Sequence, residues 1–183
     1  ISVYRFAEDT GSLVRKLAEQ AKAKQVDKVI LDLRNNGGGY VSAAGEMLSL
    51  WLNGGDKYMI EKSIHNDDKT DYVPRGKNPI FKDIKTIVLI NRSTASASEI
   101  VAGALKDYQK ATIVGMTSFG KGVMQTMLNL SDGGKLKVTT AHWYTPNGSS
   151  INKTGIKPDV EIDRTVQDIT EDKDPQLDKA KSL

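Results

Sequence analysis

The period of the apolar positions changes several times along the chain, and each change marks an element. Residues 2–6 alternate apolar and polar, the period of a strand. Asp9 and Thr10 then offer N-caps to a helix whose apolar stripe is Leu13, Val14, Leu17, Ala18 and Ala21. Val29-Ile30-Leu31-Asp32-Leu33 is a short apolar run that suits a buried strand. It ends at Asn35-Asn36-Gly37-Gly38-Gly39, after which residues 41–52 read as a helix closed by Asn53-Gly54-Gly55-Asp56. Residues 57–64 predict a further strand, and residues 65–85, polar, charged and broken by Pro74 and Pro79, predict a surface excursion.

The strand, turn and helix pattern then recurs. Thr86-Ile87-Val88-Leu89-Ile90 is a second buried-type strand, and Asn91-Arg92-Ser93-Thr94-Ala95 leads from it into a helix with Ile100, Val101, Ala104 and Leu105 on one face. Thr112-Ile113-Val114 is a third short strand, followed by a glycine-bearing loop over residues 115–122. Residues 123–130 and 135–144 predict two antiparallel strands joined through Ser131-Asp132-Gly133-Gly134. The sum is an α/β layered domain with a mixed sheet. From Asp163 onward the chain carries six acids and four bases, and Asp174 followed by Pro175 predicts a short exposed helix at its end.

Length and composition narrow the classes. With 183 residues, 38% of them hydrophobic, the chain suits one domain with a core of its own. The 26 Lys and Arg residues against 23 Asp and Glu leave a net charge of +3 without a basic block, which argues against nucleic acid as partner. There is no Cys, so a disulfide framework, a Cys-ligated zinc and a cysteine nucleophile are excluded. No apolar stretch approaches the roughly 18–20 residues of a membrane span, and residues 1–6 do not read as a signal peptide. The first residue is Ile1 rather than Met, which predicts an excised or processed piece.

Ser96-Ala97-Ser98-Glu99 opens the third helix and has the spacing of a capping box. The same position suits a nucleophile at a strand-to-helix turn, where free backbone N–H groups stabilise an oxyanion. Such a serine needs a base. The two histidines are His65, in the polar excursion, and His142, in a strand; a lysine that can give up its proton, such as Lys121, is the other option. Residues 115–122 match most of a phosphate-binding loop but place Gly122 where its Ser or Thr belongs, and a strand follows instead of a helix. The Gly37-Gly38-Gly39 cluster fails the dinucleotide fingerprint at Ser42, and His65-Asn66-Asp67-Asp68 lacks the spacing of a calcium loop. These absences predict no cofactor and no metal.

Three ordered segments give a sharper reading: residues 31–39, residues 93–107 and Gly115-Met116-Thr117-Ser118-Phe119-Gly120-Lys121-Gly122-Val123-Met124-Gln125. With residues 144–151 and 155–160 they resemble the carboxyl-terminal processing peptidases, the tail-specific serine proteases of family S41. The resemblance implies a ClpP/crotonase-like fold and a catalytic core over residues 1–162, with residues 163–183 as a charged tail. It implies Ser96 as nucleophile, Lys121 as base and Gln125 as the residue that orients the lysine. The oxyanion hole would be the N–H groups of Gly38 or Gly39 and of Ala97. It further implies polypeptide substrates with exposed C-terminal tails, a PDZ-like domain upstream, and an extracytoplasmic setting such as a bacterial envelope. The sequence departs from the family pattern at Gly37, usually proline, and Thr94, frequently serine. A non-catalytic tail-binding module and a crotonase-like acyl-transfer enzyme are the rival readings.

Overall fold

The computed structural model describes residues 1–76 and 78–183. In chain order its elements are α1 (Thr10–Ala23), β1 (Lys28–Asp32), α2 (Val41–Leu48), β2 (Met59–Ser63), β3 (Lys69–Tyr72), β4 (Lys85–Ile90) and α3 (Ala97–Asp107). They continue with β5 (Thr112–Gly115), β6 (Val123–Asn129), β7 (Lys135–Tyr144), β8 (Val160–Glu161), α4 (Val166–Thr170) and α5 (Pro175–Ser182). The strands form two sheets. One is parallel in the order β1-β4-β5-β8, and the other is antiparallel in the order β3-β2-β7-β6.

The apolar runs become parallel strands because both of their faces are covered. Along β4, Val88 and Ile90 pack into the main core with Leu31, Met47, Val101 and Trp143, while Ile87 and Leu89 face the other way. That second face, with Val114, is closed by Ala180 and by the partly buried Leu177 and Leu183. The tail helix α5 is therefore present as expected, but its Gln176 and Ala180 face is buried against the sheet rather than exposed. Apolar residues on the far side of β4 and β5 require such a cover, and the tail supplies it.

Three other expectations are corrected. Among the described residues, 2–6 form no strand but are bridged at Ser2 to Asp32 and at Phe6 to Gly39, because backbone hydrogen bonds to β1 and to the glycine loop form at the two ends and leave Tyr4 exposed. The helix expected over residues 41–52 stops at Leu48: Leu50 and Trp51 donate to carbonyls three residues back, a tighter winding that turns Leu50, Trp51 and Leu52 all into the core. The excursion over residues 65–85 is not all surface. It contains β3, which pairs with β2, and Phe81, buried against Trp51 with ring centroids 5.0 Å apart. In α1, Val14 and Ala18 are buried as the stripe predicts, but Leu13 and Leu17 remain half exposed.

A charged clamp ties the tail to the loop after β1. Arg34 holds Asp32 at 2.6 Å and Asp174 at 2.8 Å, and also donates to Gln176 Oε1. Burial opposes the guanidinium charge, but the hydrogen bonds to the two carboxylates outweigh it and raise the pKa of Arg34. Burial likewise pushes Asp174 up, yet hydrogen bonds from Arg34 and the Leu177 N–H, with the charges of Arg34 and Arg164, hold it below its ordinary 3.8.

A depressed folded-state pKa contributes stability that is full above the unfolded value and is lost as pH falls through the folded one. Asp174→Asn is therefore expected to lower unfolding free energy by about 2 kcal/mol near neutral pH, the scale of a lost hydrogen bond between charged groups, since Arg34 keeps Asp32. The difference from wild type should shrink as pH drops below about 4. Thermal denaturation of both proteins across pH 2 to 8 checks it.

Candidate active site

At the carboxyl ends of β1 and β4 the chain leaves the parallel sheet in two loops that meet. The first, residues 33–40, is organised by Asn36, which is fully buried. Its side-chain amide donates to Val3 O at 2.7 Å and accepts the Gly38 N–H at 2.9 Å. Its backbone carbonyl accepts the Ala95 N–H and the Ser98 hydroxyl, both at 3.0 Å. The glycine loop is thus fastened to the start of α3. Gly38 has φ of 97°, and a Cβ there would stand 2.7 Å from Ser96 Cβ and 2.9 Å from Ala97 N. Only glycine lets this backbone approach the helix end so closely.

The second loop delivers Ser96 to the N-cap of α3. Ser96 has φ 58° and ψ −120°, a sparsely populated conformation for a residue with a side chain and one that clusters at functional sites. The capping box is unequal in its halves. Glu99 accepts the Ser96 N–H at 2.8 Å, whereas the Ser96 hydroxyl faces the helix N–H without reaching hydrogen-bond geometry. Of the three N–H groups expected to bind an oxyanion, that of Gly38 is held by Asn36, while those of Gly39 and Ala97 have no acceptor among the described residues.

Glu99 also reaches a third segment, the loop before β6. Its carboxylate, fully buried, accepts the Ser118 hydroxyl at 2.6 Å, the Gly120 N–H at 2.6 Å and the Lys121 N–H at 2.9 Å. Four donors satisfy a charge that would otherwise be expensive to bury. Local spacing indicates only the Ser96 half of this arrangement; the other three bonds join residues 19 to 22 positions away.

These loops frame a cavity of about 280 Å³ lined by Gly39, Val41, Met59, Ser96, Ile100, Lys121, Val123, Met124, Gln125, Lys137 and Trp143. Ser96, Lys121, Gln125 and Gly39 from the sequence reading thus share one pocket, while Gly38 and Ala97, each next in sequence to a lining residue, are not in its lining. Ser96 and Lys121 are half buried and Gln125 is exposed. The register of β6 against β7 shifts between Met124 and Gln125, a bulge of the kind that re-aims a side chain beside a site. No hydrogen bond joins the Ser96 hydroxyl to the Lys121 amine among the described residues. His142, opposite Val123 on β7, is outside the pocket lining, and so is His65. A hydroxyl, an amine, an amide and free backbone N–H groups around one cavity can perform nucleophilic attack on a carbonyl.

The model of a family described as Peptidase family S41 matches residues 1–162. The chain is 38% identical over 163 residues to a "Probable CtpA-like serine protease" of Staphylococcus aureus (strain N315), covering 89% of this chain and 33% of that protein. It is 38% identical over 161 residues to the chloroplastic C-terminal processing peptidase of Tetradesmus obliquus, covering 88% and 34%. The chain spans about a third of the length of these curated relatives. Among solved structures, the photosystem II D1 C-terminal processing protease superposes with a TM-score of 0.81 at 37% identity, over 90% of this chain and 42% of that one. The two-sheet architecture is thus the Clp/crotonase-like fold.

Removing the shared acceptor tests the geometry. Glu99→Ala leaves two buried and two partly buried donors unpaired and is expected to lower stability by at least about 3 kcal/mol. Amide hydrogen exchange should rise together at Ser96, Gly120 and Lys121, read by NMR or mass spectrometry.

Proposed function

The chain belongs to peptidase family S41, and from that premise we propose that it is the catalytic core of a C-terminal processing serine peptidase working through a Ser96–Lys121 dyad. The observation that carries this reading is the gathering of Ser96, Lys121 and Gln125 around one cavity at the start of α3. Lys121 acts as the general base and takes the Ser96 hydroxyl proton as the oxygen bonds to the scissile carbonyl carbon. The oxyanion so formed lies against the N–H groups of Gly39 and Ala97, with the amino end of α3 adding its dipole. Gly38 shapes this hole through its close backbone approach.

Collapse of the adduct breaks the C–N bond, and the Lys121 ammonium protonates the departing amine. Water then attacks the acyl-enzyme ester, Lys121 again removing the proton, and Ser96 is regenerated with release of the carboxylate product. Gln125 orients the Lys121 amine, and as a neutral amide it does so without favouring the charged ammonium as a carboxylate would. The substrates in this reading are polypeptides with exposed tails, selected with the help of a PDZ-like domain elsewhere in the full protein. The setting is extracytoplasmic, in keeping with the CtpA-like relatives; one relative is named as chloroplastic, which extends that setting to an organelle.

A second reading rests on the missing bond between the Ser96 hydroxyl and the Lys121 amine: the core binds tails without cutting them. An unfolded protein substrate separates the two. Wild type is expected to cleave it, while Ser96→Ala and Lys121→Ala, each checked for folding, lose at least about 10³-fold in rate. Mass spectrometry of the products should show cuts near the carboxyl end. A folded, inert wild type that binds peptide and resists a serine-reactive phosphonate favours the binding module. Full activity in Lys121→Ala removes Lys121 as the base.

A further inference from the structure

The geometry points to a carboxylate-binding subsite in the wall of this pocket, formed by Lys137, through which the core selects a substrate carboxylate close to the scissile bond. The inference rests on the peptidase reading above. Lys137 is the third residue of β7, near the hairpin end, opposite Met127 on β6. Side chains alternate across a strand, so Gln125 and Met127 on β6 share a face with their partners Thr139 and Lys137 on β7, and the next pair, Asn129 and Lys135, continues it. Gln125 and Lys137 both line the cavity that contains Ser96.

Lys137 is solvent-exposed, and three observations give its ammonium a place in the substrate cleft. The pocket lining contains two lysines and no acid. Lys137 forms no ion pair or hydrogen bond among the described residues, whereas Lys106 holds Asp159 at 2.8 Å and Lys28 and Lys110 cap backbone carbonyls. Lastly, the partner of Lys137, Met127, lies two residues beyond Gln125 along β6, roughly 7 Å at ~3.3 Å per residue. A carboxylate held by Lys137 therefore belongs to a residue within about two positions of the bond cut at Ser96. Lys135, one pair further out on the same face, extends the positive field toward the hairpin tip and attracts the same charge from farther away.

The shared chemistry is a carboxylate, and its source is either an acidic side chain or the free chain terminus on the leaving side. Peptide sets in which Asp replaces Asn within two positions of the cut, and in which a nearby terminus is free or amidated, distinguish the two sources. Wild type is expected to favour the charged member by about two- to fivefold in kcat/KM, the scale of an exposed ion pair. The preference should fade near 1 M salt, where the screening length is about 3 Å.

Lys137→Glu should invert the ratio and Lys137→Arg should keep it; Lys137→Met, which removes the charge while keeping the length, should bring it near one. Lys135→Glu should weaken it less. The binding ratio of the same labelled peptides to Ser96→Ala protein, measured by fluorescence anisotropy, provides an arm that needs no cleavage. If wild type cuts nothing but Ser96→Ala binds the charged peptides better and Ser96→Ala with Lys137→Glu does not, the peptidase reading fails and the subsite stands. A ratio near one in wild type, or one unchanged by Lys137→Glu, in both cleavage and binding, overturns the subsite.

Discussion

One buried carboxylate organises the site. Glu99 accepts hydrogen bonds from the segment that carries Ser96 and from the segment that carries Lys121, two stretches separated by more than twenty residues. A charge with no exposure to water is stable there only while all of its donors are in place, so the requirement to satisfy it holds both loops in one arrangement. Ser118 extends the tie, because its oxygen also accepts the Ile156 N–H at 2.6 Å and so connects the loop before β6 to the chain that leads to β8. The strained backbone of Ser96 persists because this network over-determines it.

Asn36 plays the corresponding part on the opposite side of the cleft. It occupies the Gly38 N–H, leaves that of Gly39 free and binds the start of α3 through its own carbonyl. The glycine turn and the helix end can then face one substrate oxygen with little reorganisation. Behind both lies the parallel sheet, whose two covered faces make it a rigid support. Its far cover is the tail helix, and the Arg34 clamp joins that tail to the loop that includes Asn36. The antiparallel sheet brings the remaining wall of the cavity, including Met59, Gln125, Lys137 and Trp143.

How much of this was legible beforehand differs by element. The strands at residues 28–32, 85–90 and 112–115 announced themselves as apolar runs, and the pair at 123–129 and 135–144 by its glycine turn, because those signals are local. The burial of Phe81 and the pairing of β3 are not legible locally because a polar, proline-broken stretch carries no period, and Phe81 is recognisable as an anchor only once Trp51 stands beside it. The tail read as exposed because its own composition is charged. What buries it is the apolar far face of β4 and β5, which belongs to other segments.

Sequence alone determined the α/β class, most element positions, the glycine turn and the ordered motifs that resemble the S41 peptidases, since propensity, capping and motif spacing are properties of neighbouring residues. Only the tertiary structure decided that Ser96, Lys121 and Gln125 share a cavity, that Glu99 serves two loops, that Gly38 spends its N–H on Asn36 and that Lys137 enters the same wall. The physical reason is that these relations depend on hydrogen bonds and strand registers between distant segments. They are set by the cost of leaving buried donors and charges unpaired, which a linear pattern does not encode.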